Sequence, residues 1–148
     1  MKTEHAHELL TKYPKLFSVS PEREKMPFPM FGFEVGDGWY NIIDQLCFQI
    51  QNHIDWHNGR REKLLEKNPY NSKIPDEISQ VVVDQVKEKF GTLRFYASGG
   101  DDFTAGMIRM AEAMSSVTCE TCGAPGMIRG RSWLYTACDL HTKEEHKI

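Results

Sequence analysis

One spacing limits the folds open to this chain more than any other feature. Cys119-Glu-Thr-Cys122 is followed by fifteen residues and then by Cys138-Asp-Leu-His141. Two ligand pairs, each split by two residues and joined by a short loop, match the pattern of a closed metal site. A Cys-x-x-Cys turn aims two sulfurs at one point, and Cys138 with His141 completes a tetrahedron. Gly123 stands directly after the first pair, where such a turn calls for a positive φ. The expected cofactor is one structural Zn²⁺ held by Cys119, Cys122, Cys138 and His141, with residues 117–141 forming a zinc-binding subdomain of a single domain spanning 1–148. Met127 to Arg129 and Ser132 to Thr136 read as two short strands of a ribbon or knuckle, turning at Gly130-Arg131.

The remaining pattern predicts an α+β fold. A long core helix and a second helix pack with an antiparallel β-hairpin, and the zinc ribbon closes the C-terminal end. From Trp39 the apolar residues Ile42, Ile43, Leu46, Cys47, Ile50 and Ile54 recur at intervals of three and four, the spacing of one helical face. Cys47 lies on that stripe, so it reads as a buried, inert thiol. Gly36 and Gly38 mark a tight turn before the helix, with Asp37 or Gly38 as its cap, and Asn58-Gly59 is where it bends or stops. Val81 to Val86 and Thr92 to Tyr96 are strands, with Gly91 supplying the unusual backbone angle between them. Asp101 or Asp102 caps a helix running to about Ser116. Near the N-terminus Thr3 caps a short helix that Pro14 ends. Residues 18–32 carry Pro21, Pro27 and Pro29 among Phe and Met, and read as an extended segment across the core.

Composition narrows the function classes. The net charge is −3, whereas a general nucleic-acid binder is usually basic. Three of four cysteines fall in the metal pattern, which fits a reducing cytoplasm better than a disulfide scaffold. The N-terminus lacks a signal-peptide core, and no apolar run approaches the ~20 residues needed to span a bilayer. The chain is therefore expected to be cytoplasmic, with no membrane partner.

Catalytic signatures are thin. His53 and His57 share a helical face, but Ile54 stands where a zinc protease needs its Glu general base. Solvent-facing helix histidines are the plainer reading. There is no nucleophile elbow, no phosphate-cradling loop and no deaminase pattern. Glu120 and Asp139 sit between ligands, where carboxylates usually face solvent.

Two surfaces are candidates for binding. Lys87, Lys89 and Arg94 can cluster on the outer side of the hairpin, against Glu88 and Asp84. Arg129, Arg131, Trp133 and Tyr135 interleave in the ribbon as cations and aromatics do in nucleic-acid binders. The charges of residues 119–148 nevertheless cancel: Arg129, Arg131, Lys143 and Lys147 face Glu120, Asp139, Glu144 and Glu145.

Four stretches carry a family resemblance: Gly36-Asp-Gly-Trp-Tyr40, Val86-Lys-Glu-Lys-Phe-Gly-Thr-Leu-Arg-Phe-Tyr96, Ala111-Glu112 with Ser115, and the Cys-x-x-Cys-Gly and Cys-x-x-His pairs. Across about residues 33–141 the chain resembles a group of small uncharacterised proteins encoded in phages, prophages and bacteria. Its members end in a similar cysteine-rich knuckle. The resemblance implies provenance and no catalytic residues, and makes counter-defence or host takeover the expected setting. Together these features predict a non-enzymatic, zinc-stabilised interaction protein with a protein partner. A nucleic-acid-binding zinc ribbon is the alternative, and a metal-dependent hydrolase using His53 and His57 is the third.

Overall fold

A computed structural model describes residues 1–18 and 32–146. The proline-punctuated stretch at 18–32 falls almost wholly outside them. The described residues form a mixed α+β fold. Helix α1 (Thr3–Lys12) leads to strand β1 (Phe33–Glu34), a 3-10 turn (Asp37–Trp39) and helix α2 (Tyr40–Lys67). Strands β2 (Val82–Lys89) and β3 (Thr92–Ser98), helix α3 (Asp102–Ser115) and strands β4 (Met127–Arg129) and β5 (Tyr135–Ala137) follow.

Helix α2 is the spine. Its predicted stripe is buried at Ile43, Leu46, Cys47, Ile50 and Ile54, and Trp39 at its base is fully covered. Those side chains pack on Val83, Val86, Leu93 and Phe95 of the sheet and on Leu9 and Leu16 from the N-terminal segment. Val83 and Val86 both face inward although three residues apart, because the register shifts between Val83 and Gln85. A bulge at Asp84 restores the alternation that a regular strand would lose.

Several local expectations are revised. Thr3 is not a cap: α1 begins after Lys2, with no side-chain cap bond. Neither Asp37 nor Gly38 caps α2, which grows out of the 3-10 turn. Instead the Asp37 carboxylate accepts from the Lys2 N–H at 2.7 Å and contacts His5 Nδ1. Asn58-Gly59 does not end the helix, since the Asn58 amide donates to Ile78 O and its carbonyl accepts from Ile78 N–H. That exchange ties the helix to the chain leading into the sheet and supports the helical turn through Gly59. Strand β1 was not foreseen: it pairs parallel with β2, Phe33 opposite Val86. Of the two acids offered as the cap of α3, Asp101 is the one used, in a reciprocal capping box with Thr104.

Hairpin β2–β3 turns on Phe90 and Gly91, with φ of +55° and +79°. Lys89 pairs with Thr92, so the loop has two residues, and two left-handed central residues are what a type I′ turn requires. Strand β3 is an edge of the sheet. Helix α3 covers it: Leu93 N–H donates to Ser115 Oγ at 2.8 Å and Phe95 N–H to Glu112 Oε1 at 3.0 Å. An edge strand whose N–H groups are filled from a helix cannot template a further strand.

Candidate metal centre and the surface it holds

The chain leaves α3 at Ser115 and turns at once into Cys119. Gly123 N–H donates to Cys119 O at 2.8 Å and Cys119 N–H to Ala124 O at 2.8 Å, closing the first knuckle. Gly123 takes φ +79°, the left-handed angle expected of it. Strands β4 and β5 then pair antiparallel, Ile128 opposite Thr136, and return the chain to Cys138. The 3-10 turn Asp139–His141, closed by the His141 backbone N–H donating to Cys138 O at 3.1 Å, brings the imidazole back.

The result is a Cys₃His cluster. One ligand atom from each of Cys119, Cys122, Cys138 and His141 lies within 4.8 Å of all the others. Cys122 Sγ is 3.8 Å from Cys138 Sγ, and His141 Nδ1 is 3.5 Å from Cys119 Sγ and 3.3 Å from Cys138 Sγ. A tetrahedral ion bound to sulfur at about 2.3 Å separates its sulfurs by about 3.8 Å. The donor set therefore fits a metal ion of that size, with three soft thiolates and one borderline imidazole. Burial works against ionisation of Cys119, yet N–H groups of Cys138, Cys122 and Thr121 outweigh it and bring the thiol down to about 6. Cys122 accepts from Ala124 N–H, but burial and the adjoining Cys119 and Cys138 thiols leave it raised. Among the described residues there is no second cluster of this kind.

His53 and His57 belong to no metal cluster among the described residues. The His53 Nε2 lies 2.8 Å from Asp101 Oδ2 and His57 Nε2 lies 2.8 Å from the Asp76 carbonyl. Their ring centroids stand 6.3 Å apart. Both are partly covered rather than solvent-facing, because each latches α2 to a neighbouring segment. Cys47 is fully buried, and burial pushes its thiol far up, which makes it inert as expected.

The knuckle is seated on the turn before α2. Gly38 N–H donates to Glu120 O at 2.7 Å, Gly36 N–H to Glu120 Oε1 at 2.9 Å, and the Trp39 indole N–H to Thr118 O at 2.8 Å. A Cβ at Gly38 would lie 2.1 Å from the Cys119 carbonyl oxygen, and one at Gly36 2.3 Å from that of Glu120. Both glycines are thus places where two backbones touch. Glu120 does not face solvent: burial, only partly offset by the Gly36 N–H, raises its carboxyl. The hairpin tip holds the other side of the ribbon, where Thr136 Oγ1 donates to Gly91 O at 2.5 Å. A Cβ on Gly91 would press on the Tyr135 backbone at 3.1 Å.

The candidate binding residues divide into three groups. Arg129 is a strut, bound to Ala137 O and, at 2.5 Å, to Asp139 Oδ1. Tyr135 is another, its hydroxyl accepting from Lys143 N–H and its ring lying under the Lys143 ammonium. Lys87 and Arg94 are cross-strand neighbours on the outer face of the hairpin. The Lys87 ammonium lies over the Tyr96 ring, and Arg94 bonds to Thr92 Oγ1 and Leu93 O. Lys89, Arg131 and Trp133 converge. With Glu88, Phe90, Ser132 and Leu134 they line a cleft of about 370 Å³ between the hairpin tip and the ribbon loop. Phe90, absent from the sequence-level candidates, belongs to that group. Its signal was a bulky residue standing before Gly91 at a hairpin tip, where Asn or Gly is usual.

No helix of the described residues is long and apolar enough to cross a membrane. No protein-family model, curated protein or solved structure matches the chain.

Proposed function

We propose that the chain is a non-enzymatic interaction protein in which a structural zinc ion clasps the C-terminal ribbon to the core and thereby presents a protein-binding surface. The observation that carries this reading is the closed, four-donor Cys₃His cluster, seated through Gly36, Gly38 and Trp39. Three thiolates and one imidazole around a single ion select zinc by softness and geometry. With four protein donors the ion has no open position for water, and zinc would supply cross-linking alone. The resemblance to phage-encoded proteins supports a host protein as the partner and the cytoplasm as the place.

Two observations weigh against the alternatives. For nucleic acid, Arg129 is spent on Asp139 inside the ribbon, which removes one of its two arginines from any phosphate track. For hydrolysis, His53 and His57 join no third donor in a metal cluster among the described residues. Elemental analysis of the purified protein should return one zinc per chain, and Cys122→Ser should release it. A photo-crosslinking residue at position 132, in the cleft lining beside Trp133, should then trap, in host cells, a single identifiable protein that rebinds when purified. The same residue at Lys63 on α2 should trap nothing. A metal-free protein with an intact ribbon defeats the zinc assignment. A hydrolytic activity that His57→Ala abolishes defeats the non-enzymatic reading.

A further inference from the structure

We propose that the cleft between the hairpin tip and the ribbon loop recognises an extended acidic segment of a protein partner. A large apolar side chain of that segment rests against Phe90 and Trp133, and its carboxylate meets Lys89 and Arg131. The proposal rests on the interaction reading above and names the partner's chemistry.

Exposure is the first argument. Phe90 and Trp133 are 66% and 71% exposed, and both line one cleft with Leu134. Large rings left in water gain little for the fold, and tryptophan is enriched among residues that dominate interface energies. At about 370 Å³ the cleft lies near the small end of binding pockets, room for a side chain or two and not for a large cofactor.

Charge is the second. Among the described residues no hydrogen bond or ion pair engages the Arg131 guanidinium, and no carboxylate pairs with Lys89. The one acid in the lining, Glu88, turns its Oε1 to the Gly91 N–H at 2.6 Å. Arg131, and Lys89 whose ammonium lies 5.4 Å over the Phe90 ring, both stand without a carboxylate beside the internally bonded Glu88, which favours an incoming one. The two cations are too few to track a nucleic-acid backbone on a chain of net charge −3.

Backbone strain is the third. Phe90 is the non-glycine residue with positive φ among the described residues, and a bulky side chain is poorly suited to that region. Asn-Gly is the sequence this turn favours. A phenylalanine retained there, with its ring in solvent, is costly to the fold at a point that lines the cleft. Strained residues of this kind cluster at ligand-binding sites.

The test uses the zinc-loaded full chain. A random heptapeptide display library is panned on it, and enriched peptides are synthesised and measured by fluorescence anisotropy. Enriched sequences should place Asp or Glu within two positions of Phe, Tyr, Trp or Leu. Their binding should weaken at least about tenfold in Trp133→Ala, in Lys89→Glu/Arg131→Glu and in Phe90→Asn. Zinc content should stay at one per chain in all three, and Phe90→Asn should unfold at higher denaturant while binding less. That opposition separates recognition from a structural role. Peptides insensitive to every variant would overturn the cleft and leave the interaction reading standing. A fluorescein-labelled dT15 oligonucleotide that binds and is lost in the same variants, with no peptide enriched, would overturn both. Absence of any binding overturns the cleft assignment.

Discussion

Phe90 and Gly38 show how single residues bear loads that their chemistry alone does not announce. Phe90 occupies a left-handed position in which a side chain costs roughly 1–2 kcal/mol, whereas Asn tolerates it. Phe90→Asn should therefore raise the stability of the chain by about 1 kcal/mol, read from the denaturation midpoint at unchanged slope. Gly38 is the opposite case, because its φ is ordinary and its constraint is space. A methyl group there would meet the backbone of Cys119, Cys122 and Gly123. Backbone cannot swing aside as a flexible side chain does, so Gly38→Ala should cost about 1–3 kcal/mol and weaken zinc retention against a chelator. Gly36-Asp-Gly38 reads from sequence as a turn, and it is one. That it also forms the seat of the Cys₃His knuckle could not be read, since Gly38 and Glu120 lie 82 positions apart and only folding brings them together.

Among the elements, helix α3 does more than fill space. Its N-terminus is capped by Asp101, which also holds His53. Burial opposes ionisation of Asp101, but His53 and the Thr104 N–H prevail and keep the carboxyl below its usual range. Because the folded value lies under the unfolded one, this contribution is present above about pH 4 and is lost as pH falls through the folded value. Asp101→Asn keeps a good cap and removes the titration. The variant should lose stability at neutral pH and show a shallower decline in acid, measured by urea unfolding at several pH values. At its other end, α3 fills the N–H groups of β3 through Glu112 and Ser115. The Leu93 N–H is buried, so Ser115→Ala leaves it unpaired and should cost about 1–3 kcal/mol in the same assay. The helical period of α3 puts Ala111 inward and leaves Met114 and Ser115 as alternatives; Ser115 is the one that is buried. The purpose of the polar pair became visible only once β3 proved to be a sheet edge.

At the scale of the whole molecule, the ribbon is joined to the rest at two seats, the 36–39 turn and the hairpin tip. On the proposed zinc clasp, chelation should release both. Hydrogen exchange after chelation should speed up across residues 116–141 and at the Gly38 N–H, while the buried face of α2 stays protected. Loss of protection throughout α2 would mean that the metal supports the entire fold and not the ribbon alone.

The sequence by itself determined the spacing of the Cys₃His cluster, the apolar face of α2, the hairpin and the positive φ of Gly91 and Gly123. Each is local: a period, a turn or a pair of residues within a few positions. The tertiary structure decided what those parts do to one another. It paired β1 with β2, set the two glycines against the knuckle, tied Arg129 to Asp139 and left Arg131 open. It also brought Lys89 and Phe90 to the same cleft as Trp133. Which cation is a strut and which faces an open cleft depends on neighbours dozens of residues away, and no local pattern in the chain encodes them.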